Sequence, residues 1–186
     1  MTDLEYILKG IEFCPIFDDF LHEEKLHLAQ AAVIRDYKSG DHIFTIRHKD
    51  TYFFLVYSGI LSLRLRSRKL KRYEKGELFG EVSIFINEYR SGTITAVEDS
   101  KLIAFDITKI FDKVFVPLDI QLKLLKKLTL KIIGYIYEDK TIAAREIIEI
   151  GENKSVEFKE AINQKNKKFK EKLVRTMTAF MNLDGG

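Results

Sequence analysis

Phe79-Gly80-Glu81-Val82-Ser83-Ile84-Phe85-Ile86-Asn87-Glu88-Tyr89-Arg90-Ser91-Gly92-Thr93-Ile94-Thr95 is the stretch from which the rest of the chain is read. A Gly-Glu pair leads into a short, mainly apolar turn of helix, and Arg-Ser-Gly-Thr then enters a β-branched strand. A pocket for a small phosphorylated ligand needs these parts. Gly80 lets the backbone come close to a ligand because it has no Cβ. Arg90 carries a planar fork of donors that matches phosphate oxygens, Ser91 adds a hydroxyl, and small residues at 91 and 92 leave room for a bulky anion. Glu81 is an acceptor suited to a sugar hydroxyl. The plainer reading of Arg90 is a surface salt bridge with Glu81 or Glu88.

On either side the hydrophobic period is that of strands. Val33 to Lys38 is a short strand ending at the turn Ser39-Gly40-Asp41. Ile43, Phe44 and Ile46 follow, then a polar turn from Arg47 to Asp50. Tyr52 to Tyr57 is a dense aromatic and β-branched run closed by Ser58-Gly59. Leu61, Leu63 and Leu65 alternate with Ser62, Arg64 and Arg66, which buries one face and wets the other. Ser67-Arg68-Lys69 reads as a basic hairpin turn, with Leu70 to Glu74 returning as an edge strand. After the quoted stretch, Thr93 to Val97 and Leu102 to Phe105 supply two strands around Glu98-Asp99-Ser100. Short strands at this spacing predict an antiparallel, jelly-roll-like β-roll over 33–116.

Helical spacing brackets the strands. In the segment 1–32, Leu4, Ile7, Leu8 and Ile11 form one apolar face, Pro15 interrupts, and Phe17, Phe20, Leu21, Leu28 and Ala32 form another. Beyond the strands, Ile107, Ile110, Phe111 and Val114 make one face, and Pro117 suits the first turn of the next helix. Leu118, Leu122, Leu125, Thr129, Ile132 and Ile136 then alternate four and three apart, with Lys123, Lys126, Lys127 and Lys131 opposite as a solvated side. The expectation is an amphipathic hinge or dimer helix over 117–140, its seam packing on its own roll or on a second copy through 118–136. The fold class is therefore mainly β with flanking helices (α+β). A linker and a short α-rich appendage over 141–186 complete it.

Composition sets outer bounds. With 46% hydrophobic and 12% aromatic residues the chain has the material for a folded core. Lys and Arg total 31 against 28 Asp and Glu, and a net charge of +3 is too weak by itself to imply a nucleic-acid partner. A single cysteine, Cys14, forms no internal disulfide, and no basic segment leads into an apolar signal core, so a cytoplasmic location is the default expectation. No apolar run approaches a membrane span. No metal site and no cofactor are expected: the four histidines stand at 22, 27, 42 and 48 without a paired ligand pattern, which argues against a metal enzyme built on such a roll.

FGEVSIFINEYRSGTIT resembles the phosphate-binding cassette of the cyclic nucleotide-binding domain family, with the interval from Glu81 to Arg90 ungapped. YKSGDHIFTIRHKDTYFFLVYSGILSL is similar to that family's Gly-Asp-x-Ile-Phe turn and the aromatic strand after it, so the resemblance covers residues 16–138. There are two departures. Tyr89 stands where proline is common, and Gly92 stands where Ala is usual and is expected to loosen the strand entry. The resemblance implies a sensor that binds a cyclic nucleotide, cyclic AMP or a related one, through Gly80, Glu81, Val82, Ser83, Arg90, Ser91 and Thr93. Arg90 would pair with the cyclic phosphate and Glu81 with the ribose 2′-hydroxyl. Thr129 or Tyr135 would reach the base if the helix folds over the roll. It also implies a homodimer through the helix after the roll.

Bacterial regulators built on this sensor mostly continue into a helix-turn-helix, and none is found here. Glu152-x-x-x-x-Glu157-Phe158-Lys159, followed by Ala179-Phe180-x-Asn182-x-x-Gly185-Gly186, resembles instead the start of the Schlafen-type AlbA domain of transcriptional regulators and RNA-cleaving enzymes. Glu152 and Glu157 then align with two metal-dependent catalytic acids, and the third would lie beyond Gly186. Their plainer reading is charge at a helix start. Lys165, Lys167, Lys168, Lys170, Lys172 and Arg175 read first as a solvated face and second as a nucleic-acid contact. Three functions follow: a sensor without enzymatic activity of its own, the sensor half of an RNase-like enzyme, and a degenerate roll used in dimer assembly.

Overall fold

The computed structural model describes residues 2–65, 68–85 and 89–150. The chain divides into two units, Met1–Lys126 and Lys127–Gly186. The first contains α1 (Asp3–Glu12), a 3-10 turn at Pro15–Phe17, α2 (His22–Gln30) and eight strands. The strands are β1 (Ala32–Tyr37), β2 (His42–Phe44), β3 (Tyr52–Ser58), β4 (Leu61–Leu65), β5 (Arg68–Tyr73), β6 (Leu78–Phe79), β7 (Thr93–Ala96) and β8 (Ser100–Asp106). Helix α3 (Glu81–Phe85) lies between β6 and β7, and α4 (Ile107–Ile110) and α5 (Leu118–Ile150) follow β8.

Two four-stranded antiparallel sheets, ordered β1-β8-β3-β6 and β2-β7-β4-β5, form the roll. Their facing sides meet in a core of Phe44, Phe54, Val56, Leu61, Tyr73, Phe79, Ile94, Ala96, Leu102 and Ala104. Strand β3 has four consecutive buried residues, Phe53 to Val56, where a half-wet strand would alternate. Both of its faces are covered. Phe54 and Val56 point into the roll, whereas Phe53 stacks on Phe105 at 4.9 Å and Phe105 meets Phe17 at 5.9 Å. Helix α1 is fixed at its start by a reciprocal cap: Glu5 N–H donates to Thr2 Oγ1 (3.3 Å) and Thr2 N–H to Glu5 Oε2 (2.7 Å).

Several expectations need correcting. Arg68 and Lys69 do not make a turn, because β5 already begins at Arg68. The two-residue β6 was too short to show a period, yet its pairing of Phe79 with Phe54 fixes where the cassette begins. Val114 does not share a buried face with Ile110, since α4 ends at Ile110 and Val114 is 86% exposed. The long helix continues past 140 to Ile150. In its first turns Ile120, Gln121, Leu124 and Leu125 are buried while Leu118 and Leu122 are exposed, so the buried stripe is rotated from the expected seam. Lys123 is not on a solvated side. Its Nζ donates to the Asp19 carbonyl and to Glu24 Oε2, both at 2.7 Å, and lies 4.5 Å over the Phe20 ring.

Candidate functional site

Strand β6 delivers the chain to Gly80, whose φ of +87° is open to glycine and strained for other residues. A Cβ there would stand 3.0 Å from an Arg90 guanidinium nitrogen. The turn of α3 follows, with Glu81 only 1% exposed and Ser83 buried beside it. Arg90 precedes β7 and is 2% exposed. Its peptide is clamped to the β2–β3 loop: Arg90 N–H donates to the His48 carbonyl (2.8 Å) and Arg47 N–H to the Arg90 carbonyl (2.9 Å).

The Arg90 guanidinium makes five hydrogen bonds, as many as it has N–H donors. Nε donates to Asp50 Oδ2 (3.3 Å), one terminal nitrogen to Ser83 Oγ (2.9 Å) and to the Gly80 carbonyl, and the other to Asp50 Oδ1 and the Tyr52 carbonyl. Its Cζ lies 4.2 Å from the centre of the Phe44 ring, a favourable placement for a cation over a π face. Arg90 is thus a buried charge paired with Asp50, and the expectation of a surface salt bridge with Glu81 or Glu88 is corrected on its setting. Asp50 also accepts from Tyr52 N–H (2.9 Å) and from His48 Nδ1 (3.1 Å).

Gly80, Ser83 and Arg90 are brought together in one hydrogen-bonded cluster. Glu81 stands beside it, close enough to act on Tyr73: burial pushes the Tyr73 phenol well up, and the carboxylates of Glu81 and then Glu77 push it further. Val82 is half-buried in α3 and Ser91 is exposed. Thr93 Oγ1 accepts from Ile46 N–H at 3.1 Å, so that hydroxyl ties β7 to the β2–β3 loop. Gly92 does not loosen the strand entry. A Cβ at this position would meet the Arg64 carbonyl at 2.9 Å and the Leu63 and Leu65 side chains at 2.8 and 2.6 Å, so glycine is what allows β4 to pack against it. Thr129 and Tyr135 are on α5 in the second unit, where the Tyr135 hydroxyl accepts from Lys131 Nζ. Glu152, Glu157 and the appendage of the AlbA reading lie outside the described residues.

Asp50 and the Tyr52 carbonyl were missed in the sequence. Asp50 stands in a polar turn 40 positions from Arg90, and turn acids are common enough to carry no signal.

Residues 34–114 match the family model described as cyclic nucleotide-binding domain. The chain is 38% identical over 60 residues to a cGMP-dependent protein kinase of Plasmodium berghei, a match covering 32% of this chain and 7% of that kinase. It therefore spans less than a tenth of that relative's length. A cyclic nucleotide-binding domain from Methylobacillus flagellatus KT superposes with a TM-score of 0.65 at 16% identity, over 82% of this chain and 86% of that one. The regulatory domain of Toxoplasma gondii PKA, solved with cAMP, gives 0.57 at 19% identity, over 68% and 50%. At these identities the two structures speak to the fold alone. Residues 34–114 thus match the sequence model of the cyclic nucleotide-binding domain, and the roll they build has the fold of solved domains of that kind.

Proposed function

We propose that this chain is a cyclic nucleotide-sensing regulatory module. The cyclic phosphate pairs with Arg90, the ribose 2′-hydroxyl with Glu81, and backbone N–H groups of Gly80, Val82 and Ser91 complete the cradle, with Ser83 and Thr93 shaping its walls. The observation that supports this best is the convergence of Arg90, Ser83 and Gly80 beside a buried Glu81. Arg90 must give up part of its hold on Asp50 to take the phosphate, so binding and rearrangement of the Arg90–Asp50 pair are one event. Occupancy is relayed through α5, which also carries dimerisation through 118–136. The effector is a transcriptional or signalling domain in the cytoplasm. Its assignment to an AlbA-type domain starting near Glu152 rests on the sequence pattern alone, as does a nucleic-acid contact there.

Calorimetry with cyclic AMP and cyclic GMP tests the reading. Wild type is expected to bind one or both, and Arg90→Ala to lose about 2–4 kcal/mol of binding free energy. Equal binding by the two proteins overturns it. The internal saturation of Arg90 favours a second reading, a roll that holds no phosphate and acts in assembly. No binding of either nucleotide by a folded wild-type chain would select that reading.

A further inference from the structure

We propose that His48 is a positioning residue for the anion site, whose protonated form loosens Asp50's hold on Arg90 and so tightens binding of an anionic ligand. The inference rests on reading the cassette as an anion site. Its basis is a shared atom. Asp50 Oδ2 accepts from His48 Nδ1 at 3.1 Å and from Arg90 Nε at 3.3 Å. The carboxylate that neutralises the buried arginine is therefore also the partner of the histidine, so a proton gained by His48 would draw on the same negative charge.

The exposures differ in a way that gives the histidine access to protons and keeps the arginine from water. The His48 side chain is 56% exposed and Asp50 17%, against 2% for Arg90. Imidazole changes charge near neutral pH, and the guanidinium does not. The loop cannot escape this coupling by swinging away, because the His48 carbonyl holds the Arg90 N–H at 2.8 Å and the Arg90 carbonyl holds the Arg47 N–H at 2.9 Å. Asp50 is hydrogen-bonded to His48, Arg90 shares that carboxylate, and the chain neighbours Arg47 and Lys49 are both exposed. Protonation of His48 acts twice in the same direction. It takes up part of the Asp50 charge, easing Arg90 Nε and its neighbouring nitrogen toward an incoming phosphate, and it adds a positive charge beside the site.

The test is titration of the full chain with cyclic AMP and cyclic GMP at fixed ionic strength between pH 8 and 5.5, where the nucleotide's phosphodiester keeps its charge. Wild type is expected to bind about two- to fivefold tighter at the lower pH, the range of a largely exposed ion pair. His48→Gln keeps a donor for Asp50 but cannot charge, so its affinity should stay near the wild-type value at pH 8 throughout. A flat wild-type profile, or the same slope in His48→Gln, overturns the proposal. A ligand-free arm separates this from failure of the nucleotide reading. By NMR, the protection of the Arg90 Nε–H against exchange, taken relative to free arginine at the same pH, should be lower below pH 6 than at pH 8 in wild type and not in His48→Gln. No difference there overturns the coupling of His48 to Arg90, whatever the chain binds. A difference without nucleotide binding at any pH supports the coupling and overturns the cyclic nucleotide as the ligand.

Discussion

Arg90 holds a full charge where almost no water reaches it, and such a charge is tolerable only when paired and fully hydrogen-bonded. Asp50 supplies both oxygens, and the remaining donors find Ser83 and two carbonyls. The pair should therefore behave as a unit in folding. In urea unfolding, Asp50→Ala and Arg90→Ala are each expected to cost about 3 kcal/mol, because each strands the other charge, and the double variant to cost little more than either alone. Full additivity would mean the two do not depend on each other. Gly92 makes a different demand, for space. Gly92→Ala places a Cβ 2.9 Å from the Arg64 carbonyl, and backbone does not yield as a side-chain tip does. A loss of about 1–3 kcal/mol in the same measurement is expected, even though alanine is the commoner residue in the cassette that this stretch resembles.

Among the elements, α2 and the start of α5 are joined by chemistry that the helical pattern did not reveal. Lys123 reaches the Asp19 carbonyl and Glu24, and Glu24 in turn accepts from Leu21 N–H at 2.6 Å to cap α2. Burial raises the Glu24 carboxyl, but the hydrogen bonds from Lys123 and Leu21 and the Lys123 charge outweigh it and leave it below its ordinary 4.5. A carboxyl lowered in the folded state contributes stability that is complete above 4.5 and is lost as acid carries the pH below its folded value. The unfolding free energy of wild type should thus exceed that of Glu24→Gln by about 0.2–1 kcal/mol at pH 7. The gap should close toward pH 3 (roughly a unit below the ordinary carboxyl range). A gap that persists in acid would assign the effect to packing. The same helix carries Leu118 and Leu122 exposed, four residues apart on one face. If 118–136 forms the proposed dimer contact, Leu122→Glu should convert a dimer to a monomer in sedimentation equilibrium at micromolar concentration while leaving the roll folded. An unchanged mass would remove this face from the interface.

Across the whole molecule, what could be read in advance divides along the range of the interactions. The cassette from Phe79 to Thr95 was legible because its parts are contiguous: a glycine for the turn, an acid, one helical turn and an arginine entering a strand. The succession of strand segments along the chain and the helix after Pro117 were legible for the same reason, since 2.0 and 3.6 residue periods are written locally. No helix among the described residues is long and apolar enough to cross a membrane. Other features depend on segments that meet only after folding. The unbroken apolar run of β3 could not say that helices cover its outer side until Phe17 and Phe105 were seen against it. Lys123 looked solvated because its partners stand about a hundred positions away. Taken alone, the sequence determined the roll and the order of turn, acid, helical turn and arginine from Gly80 to Arg90, because local geometry suffices for those. Only the tertiary structure decided that Arg90 is buried and already answered by Asp50, and that His48 shares the answering oxygen. Burial and pairing are properties of distant residues brought together, and 40 positions of chain separate that arginine from the acid that neutralises it.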